Sequence, residues 1–238
     1  SSEAIRQCYA EAFAVSMDKV KATGIPRTDI FFDGQYIQNK REELYHEYPF
    51  LKGKKVILFA PTYRGTQFTD AHYGIENLDL EEIYNQFSNQ NYIFIFKWHP
   101  FLYNKIVETK TSKYNEYKAH PDFYYDLSKE RDINDFLLVA DILITDYSSV
   151  IFDYVLTNKP IIYFTYDYKD YVENGRGLYF PFDEYVYGTV AKNSVELVKA
   201  IENPAMEEEK RKKFIEKFMS ACDGKSTQKV VDWVFKEG

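Results

Sequence analysis

The stretch ILITDYSSVIFDYVLTNKPIIYF, from Ile142 to Phe164, constrains the fold more than any other part of the chain. A short apolar run stops at an acid and two serines, an apolar helical segment follows, and a second apolar run begins after Pro160. Two strands joined through a helix are parallel, and their sheet needs helices to cover it. The polar tip raises a chemical question of its own. Helix-opening N–H groups together with two hydroxyls suit an anion such as phosphate, whereas a serine at a helix start is ordinarily a cap.

The rest of the chain repeats this alternation. SSEAIRQCYAEAF opens as a helix with Ser2 as cap, KATGIPRTDIFF gives a short strand, and Lys40 to Tyr48 is helical. KKVILFAPTYR is a strand ending at Pro61, DLEEIYNQFSN a helix capped by Asp79, and NYIFIFKWHP a strand. A helical or irregular segment lies around Asn104, before the strand FYYDLS and the helix DINDFLLVA. SVELVKAIEN, AMEEEKRKKFIEKFMSA and STQKVVDWVFK complete the series as helices. The reading is an α/β domain over residues 1–238, a Rossmann-like parallel sheet with helices on both faces. There is no internal repeat, low-complexity tract or obvious linker.

Composition narrows the partners. A net charge of −7 leaves no excess of cations for general nucleic-acid binding. The basic run Glu208-Glu209-Lys210-Arg211-Lys212-Lys213 reads as a solvated helix face. Aromatic residues reach 18%, which favours a strand-rich core. Cys8 and Cys222 match no metal spacing and fit a reducing compartment, with a single disulfide left open. No window approaches a membrane span, and no signal peptide opens the chain. A start inside an element, without an initiator Met, reads as a piece of something longer.

In a parallel sheet, ligands bind outside the carboxyl ends of the strands, and the least ordinary residues fall there. VILFA runs into Pro61-Thr62-Tyr63-Arg64, YIFIF into Lys97-Trp98-His99, and DILIT into Asp146-Tyr147-Ser148-Ser149. Arg64 is a candidate phosphate fork. Lys97 and His99 are candidates for binding an anionic oxygen or moving a proton. Asp146 and Asp153 read as orienting or capping groups, because negative charge beside a phosphate is unfavourable. His46, His72 and His120 read as surface residues, and Asp167 with Asp170 as a weak metal pair. No GxGxxG or P-loop pattern occurs.

Taken in order, APTYRG, FKWHP, TDYSSVIFDY, NKPIIYF and GRGLYF resemble the CDP-glycerol glycerophosphotransferase family, which makes teichoic acids and related capsule polymers. TGIPRTDIFF and ACDGKSTQKVVDWV look like its flanking motifs. The resemblance implies a GT-B architecture of two Rossmann-like halves, this chain being the C-terminal, donor-binding half, with residues 1–20 a candidate interdomain helix. It implies transfer of glycerol phosphate or ribitol phosphate from a CDP-activated donor to a polyol-phosphate polymer or lipid-linked acceptor. His99 would then be catalytic. Ser148 and Ser149 would hold the donor pyrophosphate, with Arg64, Lys97, Asp146, Arg176 and Gly177 nearby. No cofactor or metal is implied, and no nucleic acid. The expected setting is cytoplasmic, at the inner face of the membrane, with the N-terminal half of the same polypeptide as partner. The family's second histidine, in a Trp-His-Gly type motif, is absent here. A sugar-nucleotide glycosyltransferase and a non-catalytic nucleotide-binding module are the two rival readings.

Overall fold

In the computed structural model, residues 1–65, 71–99, 116–130, 132–174 and 177–237 are described, and six strands among them form one parallel sheet. They are β1 (Lys55–Phe59), β2 (Tyr92–Phe96), β3 (Tyr124–Asp126), β4 (Ile142–Thr145), β5 (Ile161–Phe164) and β6 (Thr189–Ala191). Their spatial order is β3-β2-β1-β4-β5-β6, with every neighbouring pair parallel. The chain therefore builds outward from β1 to β3, returns, and builds outward again from β4. The reversal falls between β1 and β4, which is where open α/β sheets place their ligands.

The α-helices among the described residues are α1 (Arg6–Ala12), α2 (Gly34–Glu47), α3 (Leu80–Phe87), α4 (Ile133–Val139), α5 (Val150–Tyr154), α6 (Tyr168–Asn174), α7 (Ser194–Glu202), α8 (Glu208–Phe214) and α9 (Ser226–Asp232). Successive strand residues point to opposite faces, so each strand feeds two cores. Val56, Leu58, Ile93, Ile95 and Leu143 join one core, with Phe136 to Val139 of α4. Ile57, Phe59, Phe94, Phe96, Ile142 and Ile144 join the other, with Leu80, Ile83 and Phe87 of α3 and Leu197 and Ile201 of α7. The second core takes up much of the aromatic content: Trp98 stacks on Phe96 at 5.1 Å and meets Phe59 edge-on at 5.6 Å. Each such ring contributes ~1.5–3 kcal/mol by leaving water.

Helix starts follow the sequence closely. Asp33, Asp79, Asp132 and Asn193 each accept a first-turn N–H, and Asp79 is the cap its position predicts. Ser2 differs, because its Oγ donates to Lys217 O at 2.5 Å and a 3-10 turn precedes α1. The strand expected in KATGIPRTDIFF is a 3-10 helix over Pro26–Phe32. Pro26 suits a first helical turn rather than a ladder, and Thr28 N and Oγ1 both donate to Ile25 O. Sequence reading passed over α6 and β6. Three residues give β6 little signal, and its neighbour Gly188 comes so near β5 that a Cβ would stand 2.2 Å from Ile161 O. The segment around Asn104 lies outside the described residues.

The first and last motifs meet. Asp29 accepts from Ser226 N at 2.9 Å and Thr227 N at 2.8 Å, so it caps α9 from the far end of the sequence. Gly24, at φ +89°, lies so close that a Cβ would stand 2.2 Å from Ser226 Oγ and 2.7 Å from Ala221 O. Only a glycine fits this approach. Both cysteines are free thiols. No helix among the described residues is long and apolar enough to cross a membrane.

Candidate functional site

A cavity of about 340 Å³ opens at the carboxyl ends of β1, β2 and β4. Ala60 and Pro61 line it after β1, Lys97, Trp98 and His99 after β2, and Ser148 and Ser149 after β4. Ile133 and Asn134 of α4, Val150 and Asp153 of α5, and Arg27 complete the wall. Four of the residues expected from the sequence thus share one space: Lys97, His99, Ser148 and Ser149.

Their local chemistry differs. Lys97 is 6% exposed. Its Nζ donates to Glu130 O and stands 5.8 Å from the Phe136 ring centroid, and burial lowers its pKa. His99 is exposed at the mouth; its backbone N–H donates to Tyr73 OH at 2.7 Å and its ring lies 5.5 Å from that of Tyr63. Ser148 Oγ accepts from Val150 N at a long 3.4 Å. Ser149 occupies the cap position of α5, yet its backbone is already helical (φ −64°, ψ −7°) and its hydroxyl makes no capping bond. An ordinary cap does the opposite on both counts, so the exposed Ser149 hydroxyl is available to the cavity.

Sequence reasoning missed Arg27. Its Nε and Nη2 grip the Asp153 carboxylate at 3.0–3.1 Å, while Nη1 donates to no described residue. The side chain is half exposed, whereas that of Asp153 is buried. Burial pushes the Asp153 carboxyl up, and Arg27 opposes that shift. Arg27 lies in TGIPR, read above as part of a short strand and of a flanking motif, and its partner is 126 positions away. No local pattern carries a pairing of that range.

Arg64 and Asp146 are placed differently from the expectation. Neither lines the cavity. Arg64 donates to Asp167 at 2.5 and 3.0 Å, to Asp146 at 2.9 Å and to Thr62 O at 2.6 Å. Its guanidinium carbon lies 5.2 Å from the Tyr147 and Tyr171 ring centroids. Burial disfavours the Arg64 charge, but Asp167 and Asp146 outweigh it and hold the group protonated. Asp146, 2% exposed, also accepts from Thr62 N and Tyr147 N; burial pushes its carboxyl up. The pair is a buried brace that ties the β1 exit to the β4 exit, and Asp167 belongs to it. Gly177 is exposed and off the cavity lining, and Arg176 lies outside the described residues. His120 stacks on Tyr84 at 3.6 Å and pairs with Glu81, while His46 and His72 are exposed.

Comparison with known proteins adds an independent line. Residues 1–236 match the model of a family described as CDP-Glycerol:Poly(glycerophosphate) glycerophosphotransferase. The chain is 45% identical to the teichoic acid poly(ribitol-phosphate) polymerase of Bacillus spizizenii, over 98% of this chain and 36% of that protein. It is 38% identical to the teichoic acid ribitol-phosphate polymerase TarK of Staphylococcus aureus, over 99% of this chain and 44% of that protein. The solved wall teichoic acid polymerase TagF superposes with a TM-score of 0.79 at 26% identity, over 99% of this chain and 56% of that one. The chain thus spans between about a third and somewhat over a half of the proteins it matches.

Proposed function

Because the chain belongs to the CDP-glycerol:poly(glycerophosphate) glycerophosphotransferase family, we propose that its cavity holds the CDP-activated polyol phosphate donor of a teichoic-acid-type polymerase. The observation that carries this reading is the cavity at the β1/β4 reversal, where Arg27, Lys97 and the open Ser148–Ser149 turn converge. Two cations and a helix start suit a pyrophosphate. The two relatives described above are ribitol-phosphate polymerases, which makes CDP-ribitol the first donor to test.

In the reaction, an acceptor hydroxyl oxygen attacks the phosphorus that carries the polyol. The bond from that phosphorus to the CMP oxygen breaks, CMP leaves with the electron pair, and the hydroxyl proton passes to a base. Such a step depends on positioning and on charge stabilisation at the phosphate oxygens. Arg27 and the Ser148–Ser149 turn supply the second need. His99, at the cavity mouth, either takes the proton or stabilises the leaving phosphate.

Titration calorimetry on the chain with CDP-ribitol, CDP-glycerol and UDP-sugars tests the reading. Binding of a cytidine diphosphate donor is expected at a Kd of ~0.1–1 mM, roughly −4 to −5.5 kcal/mol. Ser149→Asp should abolish it while the protein stays folded, since the exposed Ser149 hydroxyl holds no capping bond and a carboxylate in its place repels phosphate. Binding of UDP-sugars with none of cytidine nucleotides would replace this reading with a glycosyltransferase.

A further inference from the structure

Asn134 sits in the first turn of α4, is 7% exposed, and lines the cavity. Its backbone N–H donates to Asp132 Oδ1 at 2.8 Å, but its side-chain Oδ1 is buried with no hydrogen-bond partner. An unpartnered buried carboxamide oxygen costs ~1–3 kcal/mol. An aliphatic side chain at this position would carry no such cost. Among the described residues, the other buried orphan atoms belong to Thr62, Trp98, Tyr154 and Ser226. Of those residues only Trp98 lines the cavity, and its ring is already held by Phe96, Phe59 and Tyr73. Asn134 has no ring to pack, and its place on the cavity wall makes a ligand the partner open to its carboxamide.

The fold indicates which end of a ligand it meets. α4 follows β3, whereas Ser148 and Ser149 follow β4, and two strands stand between. Ser148, Ser149 and the Arg27–Asp153 pair gather at the β4 side, so a nucleotide whose phosphates sit there extends its nucleoside toward α4, past Lys97 at the β2 exit. A neutral carboxamide is poorly suited to a phosphate that already has cations, and well suited to a base edge or a sugar hydroxyl. Residues 127–130, ahead of Asn134, are tied to the β2 exit. Leu127 N donates to Phe96 O at 3.1 Å, Trp98 N to Ser128 Oγ at 2.8 Å, and Lys97 Nζ to Glu130 O.

Resting on the donor assignment above, we propose that Asn134 reads the nucleoside of the donor, through a hydrogen bond from its carboxamide to the base edge or a ribose hydroxyl. The test compares wild type with Asn134→Leu in calorimetric titrations of CDP, UDP, 2′-deoxy-CDP and inorganic pyrophosphate. The variant is expected to bind CDP about tenfold more weakly, to bind pyrophosphate within about twofold of wild type, and to melt no lower, because an orphan polar atom has been removed. A wild-type preference for CDP over UDP that vanishes in the variant identifies the base. A preference over 2′-deoxy-CDP that vanishes identifies the ribose. Should the leucine not fold, Asn134→Ala, which only removes atoms, is read in the same way. Unchanged CDP affinity, or equal loss of pyrophosphate, overturns the proposal and leaves the donor assignment standing. Absence of cytidine nucleotide binding by wild type would instead remove the donor assignment, and this inference with it.

Discussion

Replacing Arg64 with Leu separates a brace from a ligand. The guanidinium makes hydrogen bonds to Asp167, Asp146 and Thr62 O, and its side chain is 10% exposed. Its removal leaves the Asp146 side chain, 3% exposed, with only backbone donors. Asp167, at 16%, can recover water more readily. Breaking a buried ion pair from one side costs about 3–5 kcal/mol. At about 2–4 °C per kcal/mol for a domain of this size, melting should fall by roughly 6–20 °C.

The sign of the pH dependence follows from Asp146, whose carboxyl burial already pushes up. Without Arg64 its folded-state pKa rises further, so the folded variant binds a proton that the unfolded chain releases. The deficit is therefore full above that pKa and shrinks as pH falls through it. Urea melts of both proteins at pH 7 and pH 5 measure this, with CDP titrations at a temperature where the variant is folded. CDP affinity should change by less than about threefold, under 1 kcal/mol. A variant that melts within about 2 °C of wild type yet no longer binds CDP would falsify the brace and restore Arg64 as a phosphate ligand.

Three other substitutions probe separate parts of the fold and site. Gly24→Ala should lower stability by about 1–3 kcal/mol in urea melts, since it combines a left-handed backbone with contacts below 3 Å to Ser226 and Ala221 O. Asp29→Ala should cost about 0.5–2 kcal/mol at pH 7 through loss of the α9 cap. Burial acts to raise the Asp29 pKa, but the Thr227 and Ser226 donors prevail and hold it below 3.8, so the cap's stability is present above that value and lost as pH falls through the lowered one. The gap between wild type and Asp29→Ala should accordingly close in acid melts. Under the proposed function, His99→Ala, assayed as CMP release by the full-length protein, should reduce turnover by about 10²–10⁴ and leave donor affinity nearly unchanged.

The sheet was legible because β1, β2, β4 and β5 are continuous apolar runs bounded by turn residues, the pattern of strands buried on both faces. The strand-end rule then placed Lys97, His99, Ser148 and Ser149 on one rim without coordinates. It could not sort Arg64 from Arg27. Both are single arginines beside a proline-containing turn, and which one faces the cavity depends on Asp146, Asp153 and Asp167, each distant in sequence. In the sequence, Asn134 is one more residue of the helix DINDFLLVA. Its distinguishing property is an unmade hydrogen bond, which exists only once the neighbours are in place.

The clasp between the first and last motifs sets an order of events. Asp29 and Thr227 are 198 positions apart, and closing a loop of that length comes late because its entropy is lost before its contacts form. The sheet and the β-strand exits need none of these contacts. Arg27, however, lies between Gly24 and Asp29, the two residues held by the C-terminal segment. Pulse-labelled hydrogen exchange should therefore find strand amides protected before those around Arg27. The sheet thus sets the histidine and serines of the rim, whereas Arg27 takes its place only once residues 221–227 have docked on the segment around it.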